Sequence, residues 1–105
     1  MIRHCVFIHF KPTISAQYKA ELFNEIDALK ARIPGMLAVH IGINVSPEDG
    51  MDKGFSNGFM VDFADSFARD AYLEDSEHKQ TGGRLVAAAE GGIAGILVYD
   101  LETDD

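Results

Sequence analysis

The sequence predicts an α+β fold of the ferredoxin-like type, in which a four-stranded antiparallel sheet carries helices on one face. Four segments are rich in branched and aromatic residues, two longer ones carry apolar residues at helical spacing, and their order is β-α-β-β-α-β. Two crossover helices in that order pack against the same face of one sheet. The 105 residues are therefore predicted to form a single domain, residues 1–105.

The first half of the chain is predicted to form a strand, a helix and a second strand. Residues 2–11 carry apolar or aromatic side chains on both alternating faces, which is typical of a strand. Ser15 is a suitable N-cap for a helix that runs to about Ile33, and residues 37–45 alternate again as a strand. The helix is predicted from apolar residues at steps of three and four, namely Tyr18, Leu22, Ile26, Leu29 and Ile33.

The second half begins with the polar loop "SPEDGMDKG", which leads into a strand over residues 55–63. Asp65-Ser66 is predicted to cap a short helix, and Ser76 to cap a second helical segment. Gly82-Gly83 is predicted to interrupt that segment before it resumes, and residues 96–101 form the last strand. The predicted core between sheet and helices comprises Val6, Leu22, Ile26, Leu29, Val39, Ile41, Phe59 and Val61.

Composition and charge exclude several classes of partner. The net charge of −8 opposes binding to nucleic acid and to anionic lipid, and no apolar run is long enough to span a bilayer. The single cysteine, Cys5, excludes an internal disulfide and multi-cysteine zinc sites, and the four histidines lack a metal-ligand spacing. We therefore predict a cytoplasmic protein with no metal, no cofactor, no nucleic-acid partner and no membrane partner.

The face of the sheet away from the helices is predicted to be an interface. Cys5, Phe7, Met60 and Val98, or their neighbours, would lie on it. A large exposed apolar patch usually marks a binding surface, and a second copy of the same sheet would cover it symmetrically. The sequence therefore predicts a homodimer formed by sheet-to-sheet packing.

Five segments, which together extend over nearly the whole chain, form a recognisable pattern in their order and spacing. They are "IRHCVFIHFKP", "IPGM", "GINVSPE", "KGFSNGFMVDFADSFARDAYLEDSEH" and "ILVYDLE". In these segments the chain resembles a known family, the stress-responsive dimeric α/β-barrel (Dabb) proteins. The resemblance implies a homodimer in which two sheets form a barrel.

Activity in this family is varied, and one plant member is a polyketide cyclase. Tyr72 and His78 of this chain fall on the tyrosine and histidine that serve that cyclase, and His4 falls on a histidine facing the same cavity. Two differences stand out: the chain has Asp75-Ser76-Glu77-His78 where members often have His-Pro-x-His, and Asn57 where a histidine is common.

Strand alternation places His4 and Asn57 on the helix-facing side of the sheet, with Tyr72 and His78 approaching from the helices. Polar groups that converge in an apolar space are typical of a small-molecule pocket. The alternative is that these polar groups form hydrogen bonds with one another, in which case they would be structural parts of the core. The predicted pocket-lining residues, some from this alternation and some from the resemblance, are His4, Val6, Ile8, Leu22, Ile26, Asn57 and Phe59.

Two classes of function follow from this reasoning and remain open at this point. The first is a Dabb-like homodimer with a small apolar pocket between sheet and helices and no catalytic role. The second is a cyclase or isomerase of the polyketide-cyclase type, in which Tyr72 polarises a carbonyl and His78 moves a proton. An open cavity that reaches both Tyr72 and His78 would favour the enzyme and a small apolar or carbonyl ligand, whereas a cavity filled by the chain's own side chains would favour the non-catalytic domain. Cofactor-independent oxygenase chemistry, known in related barrels, is a third alternative.

Overall fold

The computed structural model describes all 105 residues and has the predicted α+β, ferredoxin-like architecture. One antiparallel sheet has the strand order β2-β3-β1-β4, so β1 lies inside the sheet and β2 and β4 form its edges. The strands are β1 (Ile2–Ile8), β2 (Met36–Ile43), β3 (Asn57–Phe63) and β4 (Ile96–Glu102). The helices are α1 (Ala16–Ala28), α2 (Ser66–Glu74) and α3 (Ser76–Ala88), with short 3₁₀ turns at Leu29–Ala31 and Gly92–Gly95.

Side-chain caps fix where the helices begin. The Ser15 hydroxyl accepts a hydrogen bond from the Tyr18 amide, and the Asp65 carboxylate accepts one from the Ala68 amide, as the sequence predicts. The prediction for α3 was wrong by one residue, because Asp75 rather than Ser76 is its N-cap. The Asp75 carboxylate accepts from the amides of Glu77 and His78 and also forms an ion pair with Arg32, which a neutral serine hydroxyl would not do.

Helix α3 runs without a break through Gly82 and Gly83, so the predicted interruption was wrong. Each glycine costs a helix about 1 kcal/mol relative to alanine, but tertiary packing supplies most of a helix's stability. Thr81 and Leu85, on either side of the glycine pair, are buried against the rest of the protein. This packing outweighs the local preference of Gly82-Gly83 for a break.

Three strands are shorter than predicted, and one of them is β2, which ends at Ile43 and not at Val45. β1 stops at Ile8, after which Phe10 forms an isolated bridge to Ala89 and the His9 carbonyl accepts from the Glu90 amide. β3 begins at Asn57, and Phe55 belongs to the preceding loop. In β2 the register shifts between Met36 and Ala38, which is a β-bulge, and it turns Met36 toward the core.

The core lies between the helices and the sheet. Six of the eight predicted core residues are buried there, Val39 is partly buried, and Ile41 was predicted wrongly because 44% of its surface is exposed. Ile41 lies on the edge strand β2 beyond the cover of the helices, so its side chain reaches the correct face without being covered. The six buried residues are Val6, Leu22, Ile26, Leu29, Phe59 and Val61.

The opposite face of the sheet, called the open face here, carries no helix. Strand pairing aligns Val98 with Val6, so Val98 lies on the helix-facing side and not on the open face. Its neighbours Leu97 and Tyr99 lie on the open face beside Phe7, and the Phe7 and Tyr99 rings are 6.0 Å apart. The open face is thus apolar along β1 and β4, with Leu97, Tyr99 and Leu101 all more than 40% exposed.

A candidate acid–base site at Tyr72 and His78

The break between α2 and α3 sets the direction of the His78 side chain. Asp75 adopts extended backbone with ψ of 131°, and its carboxylate accepts hydrogen bonds from the amides of Glu77 and His78, each at 3.0 Å. Arg32, from the turn after α1, donates to the same carboxylate at 3.0 Å. The new helix therefore starts along a different axis, and His78 in its first turn points back toward α2.

This arrangement brings the Tyr72 and His78 rings together. Their centroids are 4.0 Å apart and their planes meet at 43°. Tyr72 has no exposed surface, whereas His78 is partly exposed. The Tyr72 hydroxyl and His78 Nδ1 are both buried without a hydrogen-bond partner. Buried polar groups are nearly always paired in folded proteins, so two unpaired ones on touching side chains require an explanation.

His4 of β1 belongs to the same cluster. Its ring meets the Tyr72 ring edge-on, with centroids 5.5 Å apart, and Phe63 packs against both rings. His4 is 3% exposed. Three of the predicted site residues, namely His4, Tyr72 and His78, are therefore in one place.

Two charged residues that the sequence did not indicate complete the surroundings of His4. Asp100 of β4 lies 2.7 Å from His4 Nδ1 through one carboxylate oxygen, and Arg69 of α2 donates to the other oxygen at 2.7 Å. Asp100 is the direct neighbour of His4 in the β1–β4 pairing. The available signal was an acidic residue on the helix-facing side of the last strand, among the apolar residues of "ILVYDLE".

The environment shifts the pKa values of these groups in directions that matter for proton transfer. Burial raises the pKa of the Tyr72 hydroxyl well above its usual value, so this group stays a neutral donor. Burial, followed by the nearby His4, lowers the pKa of His78. Burial alone would raise the pKa of Asp100, but the hydrogen bonds from His4 and Arg69 hold it below its ordinary value. At neutral pH the Tyr72 and His78 side chains are therefore uncharged, whereas Asp100 is ionised.

Asn57 does not join the cluster, although it lies on the same face of the sheet. It pairs with Ile8, whereas His4 pairs with Val61. Four residues along β1 separate the two rows, about 13 Å at the usual rise of a strand. The Asn57 amide donates to the Ser56 hydroxyl at 3.4 Å instead. The prediction that Asn57 faces the Tyr72–His78 pair was therefore wrong.

The apolar residues predicted to line a pocket are buried members of the core. They are at most 5% exposed, and they are Val6, Ile8, Leu22, Ile26 and Phe59. A groove of about 600 Å³ lies on the open face, among β1, β2, β3 and the loop that joins β2 to β3. Cys5, Phe7 and His40 line this groove, and His40 is paired with Asp62. Two residues that were predicted to line a pocket, Asn57 and Phe59, also contribute to its lining.

No three His, Cys, Asp or Glu side chains lie together in an arrangement that would hold a metal ion. None of the helices has the length and apolar character needed to cross a membrane.

The chain matches a known protein family over nearly its whole length. The Stress Responsive A/B Barrel Domain (Dabb) matches residues 2–103 of the chain. A dimeric ferredoxin-like protein of unknown function from Jannaschia sp. CCS1 is 30% identical, covers 97% of this chain and 98% of its own, and superposes with a TM-score of 0.88. No curated protein matches the sequence significantly.

More distant structures share the fold. An Arabidopsis thaliana protein is 22% identical over 100% of this chain and 97% of its own, with a TM-score of 0.85. A hydroxynitrile lyase from Passiflora edulis is 20% identical over 99% of this chain and 94% of its own, with a TM-score of 0.82. At these identities the likeness shows the fold alone.

Proposed function

We propose that this chain, which belongs to the stress responsive A/B barrel (Dabb) family, is a homodimeric protein that binds a small uncharged carbonyl compound at Tyr72 and His78 and moves a proton on it. One observation carries the proposal: the Tyr72 hydroxyl and His78 Nδ1 are buried and unpaired on rings 4.0 Å apart. A ligand that accepts a hydrogen bond at one atom and yields a proton at the next would satisfy both groups.

The chemistry follows from the protonation states. Neutral Tyr72 donates a hydrogen bond to the carbonyl oxygen, and neutral His78 removes a proton from the adjacent carbon. The C–H bond breaks, an N–H bond forms on His78, and the electron pair moves to the oxygen, where Tyr72 stabilises the enolate. Return of the proton at another atom gives an isomer. Attack of the enolate carbon on a second carbonyl of the same ligand forms a C–C bond and an alkoxide, which takes the proton back from His78 to give a cyclised product. The reaction class is therefore isomerisation, cyclisation, or cleavage of a C–C bond by the reverse of the cyclisation step.

The charges around the pair favour an uncharged ligand. Arg32, Arg69 and Lys79, on the elements that surround it, are each already paired with a carboxylate. An anionic ligand would meet the ionised Asp100 without a free cation to balance it. The ligand reaches the pair from the side of His78, because His78 is partly exposed and Tyr72 is not.

The comparisons support a catalytic role by analogy. The hydroxynitrile lyase with the same fold is an enzyme by name, so a chain of this architecture is able to carry an active site. The resemblance of Tyr72 and His78 to the polyketide-cyclase pair supports the same conclusion. Neither relation identifies the substrate, so the test has to use simple carbonyl compounds.

Hydrogen–deuterium exchange tests the proposal with such compounds and does not require the natural substrate. Cyclohexanone and phenylacetone are incubated with the protein in D₂O, and loss of the proton signal beside the carbonyl is followed by NMR. We expect the wild type to accelerate exchange, Tyr72→Phe and His78→Gln to lose the acceleration, and the exposed Phe67→Ala variant to keep it. The anionic ketone levulinate is expected to exchange no faster than in buffer. Equal rates for wild type and Tyr72→Phe would refute the proposal.

A second candidate, a non-catalytic dimeric domain, is favoured by the close packing around the pair. The five apolar residues that would line a pocket are buried in the core, so the space next to Tyr72 would be filled by the chain's own side chains. The exchange experiment separates the two candidates, since a filled core gives no acceleration with any ketone.

The open face is the proposed dimer interface. The Jannaschia protein is described as dimeric, and the open face of this chain presents Phe7, Leu97, Tyr99 and Leu101 to solvent. Packing two such sheets face to face would remove this apolar surface from water and form the barrel. We also propose a cytoplasmic location, where the lone thiol of Cys5 would stay reduced.

A further inference from the structure

Three side chains from three elements form a continuous chain of hydrogen bonds that ends beside Tyr72. Arg69 of α2 donates from Nη1 to one oxygen of Asp100, and the other oxygen of Asp100 lies 2.7 Å from His4 Nδ1. Arg69 is also held at Nε by Asp70, at 2.8 Å, so its guanidinium is fixed at two points. Each oxygen of the Asp100 carboxylate thus has one partner.

The chemistry of the carboxylate decides which nitrogen of His4 carries hydrogen. An ionised carboxylate only accepts hydrogen bonds, so His4 Nδ1 must be the donor in this contact. In the neutral His4 ring, Nε2 then keeps its lone pair. Nε2 lies on the side of the ring away from Asp100. The ring itself stands edge-on to Tyr72 and is almost fully buried.

We propose that Arg69 and Asp100 are positioning residues that hold His4 with its hydrogen on Nδ1, which leaves Nε2 with a free lone pair on a ring that stands edge-on to Tyr72. Arg69 acts through Asp100, because its hydrogen bond to one carboxylate oxygen of Asp100 leaves the other oxygen facing His4. This inference rests on the proposed proton-transfer function for its purpose, but the tautomer it assigns is a property of the protein without ligand.

An amide at position 100 makes the role of Arg69 visible. In Asp100→Asn, Arg69 still requires an oxygen acceptor, so the amide nitrogen must turn toward His4 and donate to Nδ1. His4 then has to carry its hydrogen on Nε2, as in the corresponding aspartate-to-asparagine change of a serine-protease triad. Removing Arg69 in addition frees the amide to rotate, so its oxygen can accept from His4 again and the Nδ1–H form returns.

Long-range ¹H–¹⁵N NMR of the His4 ring, recorded at pH 8, tests this assignment. We expect Nδ1–H in the wild type, loss of Nδ1–H in Asp100→Asn, and its recovery in Asp100→Asn with Arg69→Met. Combining Asp100→Asn with Arg69→Lys, which keeps a donor, should retain Nε2–H. Combining it with Arg84→Met, which removes an arginine paired with Glu25 elsewhere, should also leave Nε2–H unchanged.

Two results would overturn the inference. One is a wild-type His4 that carries its hydrogen on Nε2. This result is obtained with the wild type and does not depend on any variant being folded. The other is an Asp100→Asn protein whose tautomer does not respond to removal of Arg69. Because no substrate is involved, failure of ketone exchange would leave the tautomer result standing, and failure of the tautomer assignment would leave wild-type ketone exchange unaffected.

Discussion

The imidazole of His78 lies against the phenol ring of Tyr72, with ring centroids 4.0 Å apart, although six positions separate the two residues. In one continuous helix, positions six apart point in different directions, since each residue advances about 100°. The extended backbone at Asp75 removes this constraint by starting a new helix. The contact thus depends on the break, and the break depends on a single N-cap.

Removing the Tyr72 hydroxyl should stabilise the protein. This group is buried without a partner, and an unsatisfied buried polar group costs about 1–3 kcal/mol. We expect Tyr72→Phe to raise the free energy of unfolding by about 1 kcal/mol in urea denaturation, while ketone exchange is lost. A loss of stability would mean that the hydroxyl contributes to folding.

His78 should make stability depend on pH in a window above that of the carboxylates. Burial and the neighbouring His4 lower its pKa in the folded protein, so the unfolded chain binds a proton more readily. Stability is therefore expected to fall as pH decreases through about 6.5, the unfolded histidine value, toward the lower folded pKa.

Urea denaturation from pH 8 to pH 5 would measure this slope, and His78→Gln should reduce it. Asp100, whose pKa is also lowered, contributes to stability in a lower pH window. Its stabilisation is fully present above about pH 3.9, the aspartate pKa in the unfolded chain, and is lost as pH falls through its pKa in the folded protein. A slope that is the same in wild type and His78→Gln would contradict the assignment to His78.

Phe59 should be a major contributor to the core. Its side chain is 4% exposed and packs edge-on against Phe23, with ring centroids 5.9 Å apart. We expect Phe59→Ala to lower the free energy of unfolding by about 3–5 kcal/mol. Phe67→Ala is the matched control, because Phe67 is 83% exposed and its loss should change stability by less than about 0.5 kcal/mol.

A charge on the open face should prevent the proposed dimer from forming. In Phe7→Asp a carboxylate would be buried without a partner in the interface, at a cost of several kcal/mol. Sedimentation at micromolar concentration should give twice the chain mass for the wild type and the single-chain mass for Phe7→Asp. Phe67→Asp, on the helical side of the protein, should remain dimeric. A wild-type monomer would remove the basis of the proposed interface.

Replacing Gly82 in α3 should stabilise the fold. A Cβ atom at this position meets no other atom within 4 Å, and alanine favours a helix over glycine by about 1 kcal/mol. Gly82→Ala is therefore expected to raise the melting temperature. Gly35→Ala is the contrasting variant: Gly35 has φ of 84°, and its Cβ would lie 2.7 Å from that of Ala68, so stability should decrease.

Local patterns in the sequence were sufficient for the fold and for part of the site. Helical spacing predicted Leu22 and Ile26 of the buried stripe of α1 but not Phe23, and strand alternation placed His4 on the helix-facing side. Alternation identifies the face of a strand but not the row, and so Asn57 was grouped with His4 although their rows differ. Asp100 was missed for the same reason, since only the register between β1 and β4 brings it to His4.

Strand β1 has a consequence for how ligand and assembly influence each other. Its alternate residues serve two purposes, because His4 faces the candidate site while Cys5 and Phe7 face the opposite surface. Because these side chains share one backbone, a displacement of β1 moves the groups on both faces together. If a ligand favours one position of β1, it changes the dimerisation constant, and dimerisation then changes the ligand's affinity by the same factor. In that case protein concentration would act as an effector of the proposed site.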